Sequence, residues 1–344
     1  MIRTARGTTA PRVRIAGLGA VLPPLIRTSD EIEQMVRAAS PGVRIRAGTI
    51  AARTGILERR VAGEQVQCSD LAVEAARAAL AEAGLEVSDV DLLIFAAASQ
   101  DLIEPATAHI VQQKLGTSAP VFDVKNACNS FLNGLQVADG LVRTGQSRCA
   151  LVVTGEICSR AVRWQVRDAD EFRQHFPGFT MGDAGAAAVL VPSENGRGIE
   201  RLAFAARSEH WPLAMVRAGG SMFPRGDEYA YLSGDGPALK EAFVEHGPTM
   251  LHRLLADAGA SVRDFDRILV HQVGVPYHRA MLDASGIPES RVEMHVELLG
   301  NLASASLPVA HSLARAAGRI RPGDRVLWLG MGSGISVGIA ILDV

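Results

Sequence analysis

The chain repeats itself. The run from Ala81, AEAGLEVSDVDLLIF, and the run from Ala256, ADAGASVRDFDRILV, superpose without a gap at an offset of 175 residues, matching Ala83/Ala258, Gly84/Gly259, Val87/Val262, Asp89/Asp264 and Asp91/Asp266. Each run reads as a helix end, a glycine cap, a short turn and a buried strand. The same offset pairs Asn126 with Asn301 and Gly155 with Gly330, each near the end of an apolar strand-like or strand-to-helix segment. An offset close to half of 344 residues predicts two similar α/β halves packed about a pseudo-twofold axis, with functional residues gathered where they meet. The expected division is a loose N-terminal arm at 1–12, a first half at 13–197 and a second half at 198–344.

Such halves need a large core, and a hydrophobic content of 48% with 21% charged residues supplies one. Lys and Arg number 35 against 37 Asp and Glu, scattered singly, so a broad basic face for nucleic acid is not expected. No apolar stretch approaches the ~18 residues of a membrane span. Met1 to Arg12 has no apolar segment of a secretory signal, so the expected location is the cytoplasm. The four cysteines form no CxxC pair and have no His at zinc-finger spacing, so neither a disulfide framework nor a bound metal is expected.

Among them Cys128 stands out. It follows a strand, Val121 to Val124, in DVKNACNSF, at the start of a helix expected over Cys128 to Gly145. Phe131, Leu135, Ala138 and Val142 form its stripe, yet Leu132, Val137 and Leu141 lie off that stripe, predicting a helix apolar nearly all round at the centre of the fold. A thiol at a helix start feels the positive end of the dipole, which favours thiolate; an inert buried cysteine is the alternative. His271 follows the strand Arg267 to Val270, at the end where open α/β sheets present reactive groups, or else it is structural. Asn301, in LLGNLASASLP, is placed by the repeat at a helix start mirroring that of Cys128. A thiol with two neutral donors is suited to acyl transfer with a stabilised oxyanion. The run GMGSGISVG at Gly330 to Gly338 and the pair Gly17 and Gly19 lack the spacing of a dinucleotide site, so no cofactor is expected. Close backbone approach to a substrate, with a bare N–H as oxyanion donor, is the expected use of the first.

Together these segments resemble the ketoacyl synthase III group of the thiolase-fold condensing enzymes over nearly the whole chain. The motifs are RTGILERR at 53–60, NACNSF around Cys128, GDAGAAAVL at 182–190, His271-Gln272, GNLASASLP at 300–308 and GMGSGISVG. The resemblance implies a five-layer αβαβα fold and a homodimer. Cys128 would take an acyl group from a carrier-protein or coenzyme A thioester, and His271 with Asn301 would assist carbon–carbon bond formation. Backbone N–H groups of Gly334 and Cys128 would meet the thioester oxygen, and Arg53 would contact substrate. Gly274 stands where the initiating enzymes have Asn, and Thr49 lies near the place of their adenine-stacking Trp, which favours carrier-protein delivery. DLIEPATAHIVQQKLG at 101–116 looks like the branch that joins two acyl thioesters head to head, as in olefin and α-pyrone biosynthesis. There Glu104 would be a base reaching the partner subunit's site, or else it caps the helix beginning near Pro105. An O- or N-acyltransferase and a thioester hydrolase share the acyl-enzyme step and remain alternatives. Apolar residues at 158–181 and 208–231, Trp164, Phe172, Trp211 and Met222 among them, are expected to line or cover an acyl tunnel, or else to make a dimer contact.

Overall fold

A computed structural model describes residues 12–344. Strands β1 (Val13–Val21), β2 (Leu92–Ala96), β3 (Val121–Val124), β4 (Ala150–Ile157) and β5 (Asp183–Pro192) form one sheet in the order β1-β5-β4-β2-β3. A second sheet takes β6 (Gly198–Ala206), β7 (Arg267–Val270), β8 (Arg325–Gly332) and β9 (Ser336–Asp343) in the order β7-β8-β9-β6. Both share one plan. β2 runs parallel to β4, as β7 does to β8, and the two strands beyond are antiparallel in each sheet. The counterpart of β3 has shrunk to a single bridge between Ile268 and Val292.

Six helices fill the layers: α1 (Cys68–Ala83), α2 (Thr107–Leu115), α3 (Ser130–Arg143), α4 (Gly236–Asp257), α5 (Val275–Ser285) and α6 (Ser306–Ala316). Alternate strand residues decide which helix each face meets. Ile94, Val152 and Leu190 turn inward to Phe131, Leu135, Leu307 and Ala310, which also meet Val326, Trp328 and Leu342 of the second sheet. Leu93, Leu151 and Val189 turn outward to Ala72, Ala76 and Val111 of α1 and α2. Leu327, Leu329 and Ile339 likewise meet α4 and α5. The result is five layers, with α3 and α6 between the sheets. Burial on both faces explains why the strands read as continuous aliphatic runs.

Glycine sets how closely α1 can lie on its sheet. A Cβ on Gly17 would stand 2.0 Å from the Ala79 carbonyl oxygen, and one on Gly19 would stand 2.1 Å from that of Ala75. Those two glycines therefore serve helix-to-strand contact. Helix α3 is central as expected, but it begins at Ser130 and Val137 is 37% exposed, so one edge is wet.

The repeat is visible in detail. Gly84 and Gly259 end helices at φ 66° and 68°, and Asp89 and Asp264 accept N–H bonds from Glu86 and Ser261 in matching turns. Beyond the next strand the match slips by one residue. Leu92 pairs Ala150 while Arg267 pairs Val326, and Ser130 and Ser306 both open helices, an offset one residue larger. Ala127 and Ala303 share φ 47° at the same larger offset. The sequence pairings Asn126/Asn301 and Gly155/Gly330 are therefore each one residue out, because an ungapped match cannot register an inserted residue. Ser304, not Asn301, is the backbone mirror of Cys128.

Of the arm expected at 1–12, only Arg12 is among the described residues; its carbonyl accepts from Ser193 at 2.8 Å and its guanidinium faces Asp343 at 3.7 Å. Among the described residues no helix is long and apolar enough to cross a membrane.

Candidate active site

Cys128 sits in a tight turn between β3 and α3. Ala127 holds left-handed backbone there, a conformation costing an L-residue roughly 1–2 kcal/mol. The turn is tied by Asn129 N–H to the Asn126 carbonyl at 2.9 Å and by Ser130 Oγ, which donates to the Ala127 carbonyl at 2.7 Å. No side chain caps α3, so its positive end is left toward the cysteine. Even so, the resting group is a thiol: enclosure by protein first, and the nearby Glu156 carboxylate second, push Cys128 up to about 12. Thiolate from helix placement alone, as the sequence suggested, is thereby overruled.

His271 follows β7 directly, its N–H donating to the Leu329 carbonyl at 2.9 Å. The ring is buried and neither nitrogen has a partner among the described residues. Burial, helped by neighbouring His278, pulls it down to about 4, so it is neutral at physiological pH. His278 on α5 is a second buried, unpartnered imidazole, also drawn down to about 4 by burial and then by Arg279. Gln272 ties the site to the following loop, its Oε1 accepting from His295 and Val296 N–H at 2.9 Å.

Asn301 is stitched to the end of η-turn 176–180: its N–H donates to the Thr180 carbonyl at 2.8 Å, and its carbonyl accepts from Gly182 at 2.9 Å. Its Oδ1 accepts from Ala303 N–H at 2.9 Å, leaving the amide nitrogen as the free end. Met181 and Ala303 then join Cys128, Cys158, Ala98 and Leu232 in one apolar cluster. The second sheet meets the same region where Gly330 and Gly332 press on Asn129: a Cβ on Gly330 would lie 2.1 Å from Asn129 Oδ1. Close approach in the glycine run is thus to a side chain of this protein. Gly334 has φ 136° in the β8–β9 turn, and its N–H has no partner among the described residues.

Glu104 is exposed, next to Leu102 at 50% and Ile103 at 64%. It does not cap α2. That helix starts two residues beyond Pro105, and Asp123 accepts its first N–H groups, Thr107 at 2.9 Å and Ala108 at 2.8 Å. Arg53 is also exposed, on the short helix Thr49–Thr54, with its guanidinium 5.6 Å from the Phe176 ring centre.

Three features escaped the sequence reading. Arg59, inside RTGILERR, is fully buried and donates to the carbonyls of Arg27 at 3.2 Å and Phe179 at 2.8 Å, bracing the segment that holds Asn301; burial draws it down to about 10. Tyr277 lies close enough to Cys128 for the cysteine's charge to raise its hydroxyl further, after burial. Segments 158–181 and 208–231 divide their apolar residues between places: Cys158 and Met181 pack with Cys128. Phe172, Phe179 and Trp164 pack on Ile32, Val36 and Ile50, while Trp211 and Met222 are exposed. Between the segments lies a cavity of about 300 Å³ lined by Arg163, Arg167, Arg217, His175 and Tyr231 and by Glu228 and Glu171, the last paired with Arg163 and Arg167. Aromatic content gave no hint that these residues make a small core of their own and leave the arginines to the cavity.

Models of the 3-oxoacyl-[acyl-carrier-protein] synthase III family match residues 122–209, and of its C-terminal part residues 255–344. β-Ketoacyl-[acyl-carrier-protein] synthase III of Symbiobacterium thermophilum is 34% identical over 336 residues, covering 96% of this chain and 97% of that protein. The chain belongs to the ketoacyl synthase III family. The synthase of Caulobacter vibrioides is likewise 34% identical, over 95% of this chain and 98% of its own. Xanthomonas campestris OleA, solved with lauric acid and lauroyl-CoA bound, superposes with a TM-score of 0.88 at 29% identity, over 98% of this chain and 100% of that one. Cerulenin-bound OleA gives 0.88 at 30% identity, over 99% and 100%. The ketoacyl synthase III family member described here is an acyl-transferring condensing enzyme of the thiolase fold.

Proposed function

We propose that this enzyme loads an acyl group from a carrier-protein or coenzyme A thioester onto Cys128 and condenses it with a second acyl thioester, head to head. What supports the reading is a thiol at an uncapped helix start, together with two neutral side chains, His271 and Asn301, whose donors are not committed elsewhere. In loading, Cys128 sulfur bonds to the acyl carbon, the thioester C–S bond breaks, and the thiol proton leaves with the departing thiol. N–H groups of Gly334 and Cys128 receive the oxyanion. In condensation, Glu104 removes an α-proton from one acyl thioester. His271 and Asn301 hold the enolate oxygen, whose carbon attacks the acyl-cysteine and releases the sulfur.

Glu104 is on the surface beside two exposed aliphatic side chains, as a base delivered to a partner protomer across a homodimer contact must be. Arg53 offers a cationic contact for phosphate groups of the thioester carrier. The nucleophile comes from 13–197 and the two donors from 198–344, so the halves act as one site. Four free cysteines suit a reducing compartment, the cytoplasm.

The test offers a panel of acyl thioesters and follows intact mass. Loading of the parent and its loss in Cys128→Ala support the nucleophile. Product from a plain acyl thioester, lost in Glu104→Gln, supports head-to-head condensation. Turnover only with a malonyl-type extender, unaffected by Glu104→Gln, would show decarboxylating chemistry instead; release of free acid alone would show a hydrolase.

A further inference from the structure

Glu156 is the penultimate residue of β4 and is completely buried. Among the described residues no Lys, Arg or His forms an ion pair with it. Its Oε1 accepts from Ala98 N–H at 2.8 Å, from Ser304 N–H at 3.3 Å and from the Ser304 hydroxyl. Its Oε2 accepts from Ser99 N–H at 2.9 Å and faces Cys158 Sγ at 3.6 Å. Every group facing it is a donor, which is the surrounding of an ionised carboxylate. Thr154 Oγ1, 2.7 Å from Ser304 Oγ, can donate to that hydroxyl once its proton is spent on Glu156.

These contacts join three parts of the site. Ala98 and Ser99 begin the segment that leads from β2 to Glu104. Ser304 follows Ala303, whose left-handed backbone presents the N–H that fixes Asn301 Oδ1. Cys158 and Ala98, both hydrogen-bonded to the carboxylate, pack in the same cluster as Cys128, and the carboxylate lies near enough for its charge to act on that thiol.

We propose that Glu156 is a positioning residue: it locks the turn carrying Asn301 to the wall of the Cys128 site and places a fixed negative charge beside that thiol. The first role rests on the condensation proposed above; the second does not. Burial first and this charge second keep the resting sulfur protonated, which limits its reaction with adventitious electrophiles. The other titratable groups coupled to the thiol are Cys158 beyond β4 and Tyr277 on α5. Neither of them carries a compensating positive charge.

Iodoacetamide alkylation of Cys128, followed by peptide mass against pH, reads the charge without requiring any turnover. Glu156→Gln should move the alkylation profile to lower pH by roughly one unit or more. Acyl loading should persist while condensed product falls at least about tenfold. Should Glu156→Gln fail to fold, Glu156→Ser removes the charge with room for water to meet the donors. Ser304→Ala keeps the charge and removes the hydroxyl bond of the tether, so product should fall with the alkylation profile unmoved. A folded neutral variant with the parental alkylation profile overturns the proposal. So does parental product formation in both a neutral Glu156 variant and Ser304→Ala. If the parent itself never loads an acyl group, the proposed function fails while the alkylation result still decides the charge.

Discussion

Two turns in this molecule share one backbone and differ in chemistry. At Ala127–Ser130 a left-handed alanine leads into Cys128 and then α3; at Ala303–Ser306 the same alanine leads into Ser304 and then α6. In the first turn the mirror position carries a half-buried thiol. In the second it carries a buried hydroxyl bound to Glu156. Duplication supplied the strained turn and helix start twice, and only one copy holds a cysteine. The other fixes the neighbouring Asn301, three residues upstream.

The sharpest way to break the comparison is to remove the donors that only the second half supplies. His271→Ala and Asn301→Ala should each lower condensed product roughly a hundredfold or more, as for loss of an oxyanion donor, with acyl loading of Cys128 retained. Equal loss in both half-reactions would show that the halves do not divide the work.

Acid sensitivity should also be lopsided. His271, His278 and His311 are all in the second half and all buried, drawn down to about 4, 4 and 3 chiefly by burial. A histidine whose folded value lies below its free value of 6.5 binds fewer protons when folded. Its contribution is therefore present above pH 6.5 and lost as pH falls toward 4. Replacing the unpartnered His278 by Leu should recover about 2 kcal/mol of stability at pH 5, relative to its effect at pH 7.5. Denaturant titrations at the two pH values measure the difference; parallel loss at both would place the acid limb elsewhere.

The smallest effect concerns the shared backbone. Ala127→Val and Ala303→Val each put a β-branched residue at φ 47°, and each should cost about 1 kcal/mol or more in thermal or denaturant unfolding. A large cost at one alanine and none at the other would mean that the two turns are not equivalent.

How much of this was legible in the sequence varies from residue to residue. The duplicated helix–turn–strand units could be read because Gly84/Gly259 and Asp89/Asp264 are local signals, a left-handed cap and a turn acceptor, each within a few residues of the group it serves. Cys128 was legible from its place between strand and helix. The exact mirror of that turn was not, since one inserted residue leaves no mark in an ungapped comparison. Nor was the state of the thiol. A helix start is visible in sequence, whereas enclosure and a carboxylate 28 positions away in the chain are not.

By itself, then, the sequence determined the two-half α/β architecture, the family, and three residues suited to acyl transfer. Those properties reside in periodicity, caps and motifs, which act over a few residues. The tertiary structure alone decided that Ser304 mirrors Cys128, that Asp123 rather than Glu104 caps α2, and that three arginines line a cavity between segments 158–181 and 208–231. It also brought Glu156, Ser304 and the Ala98–Ser99 backbone to one point. These depend on charge and packing between segments up to 208 residues apart, such as Ala96 and Ser304, distances along the chain that only folding closes.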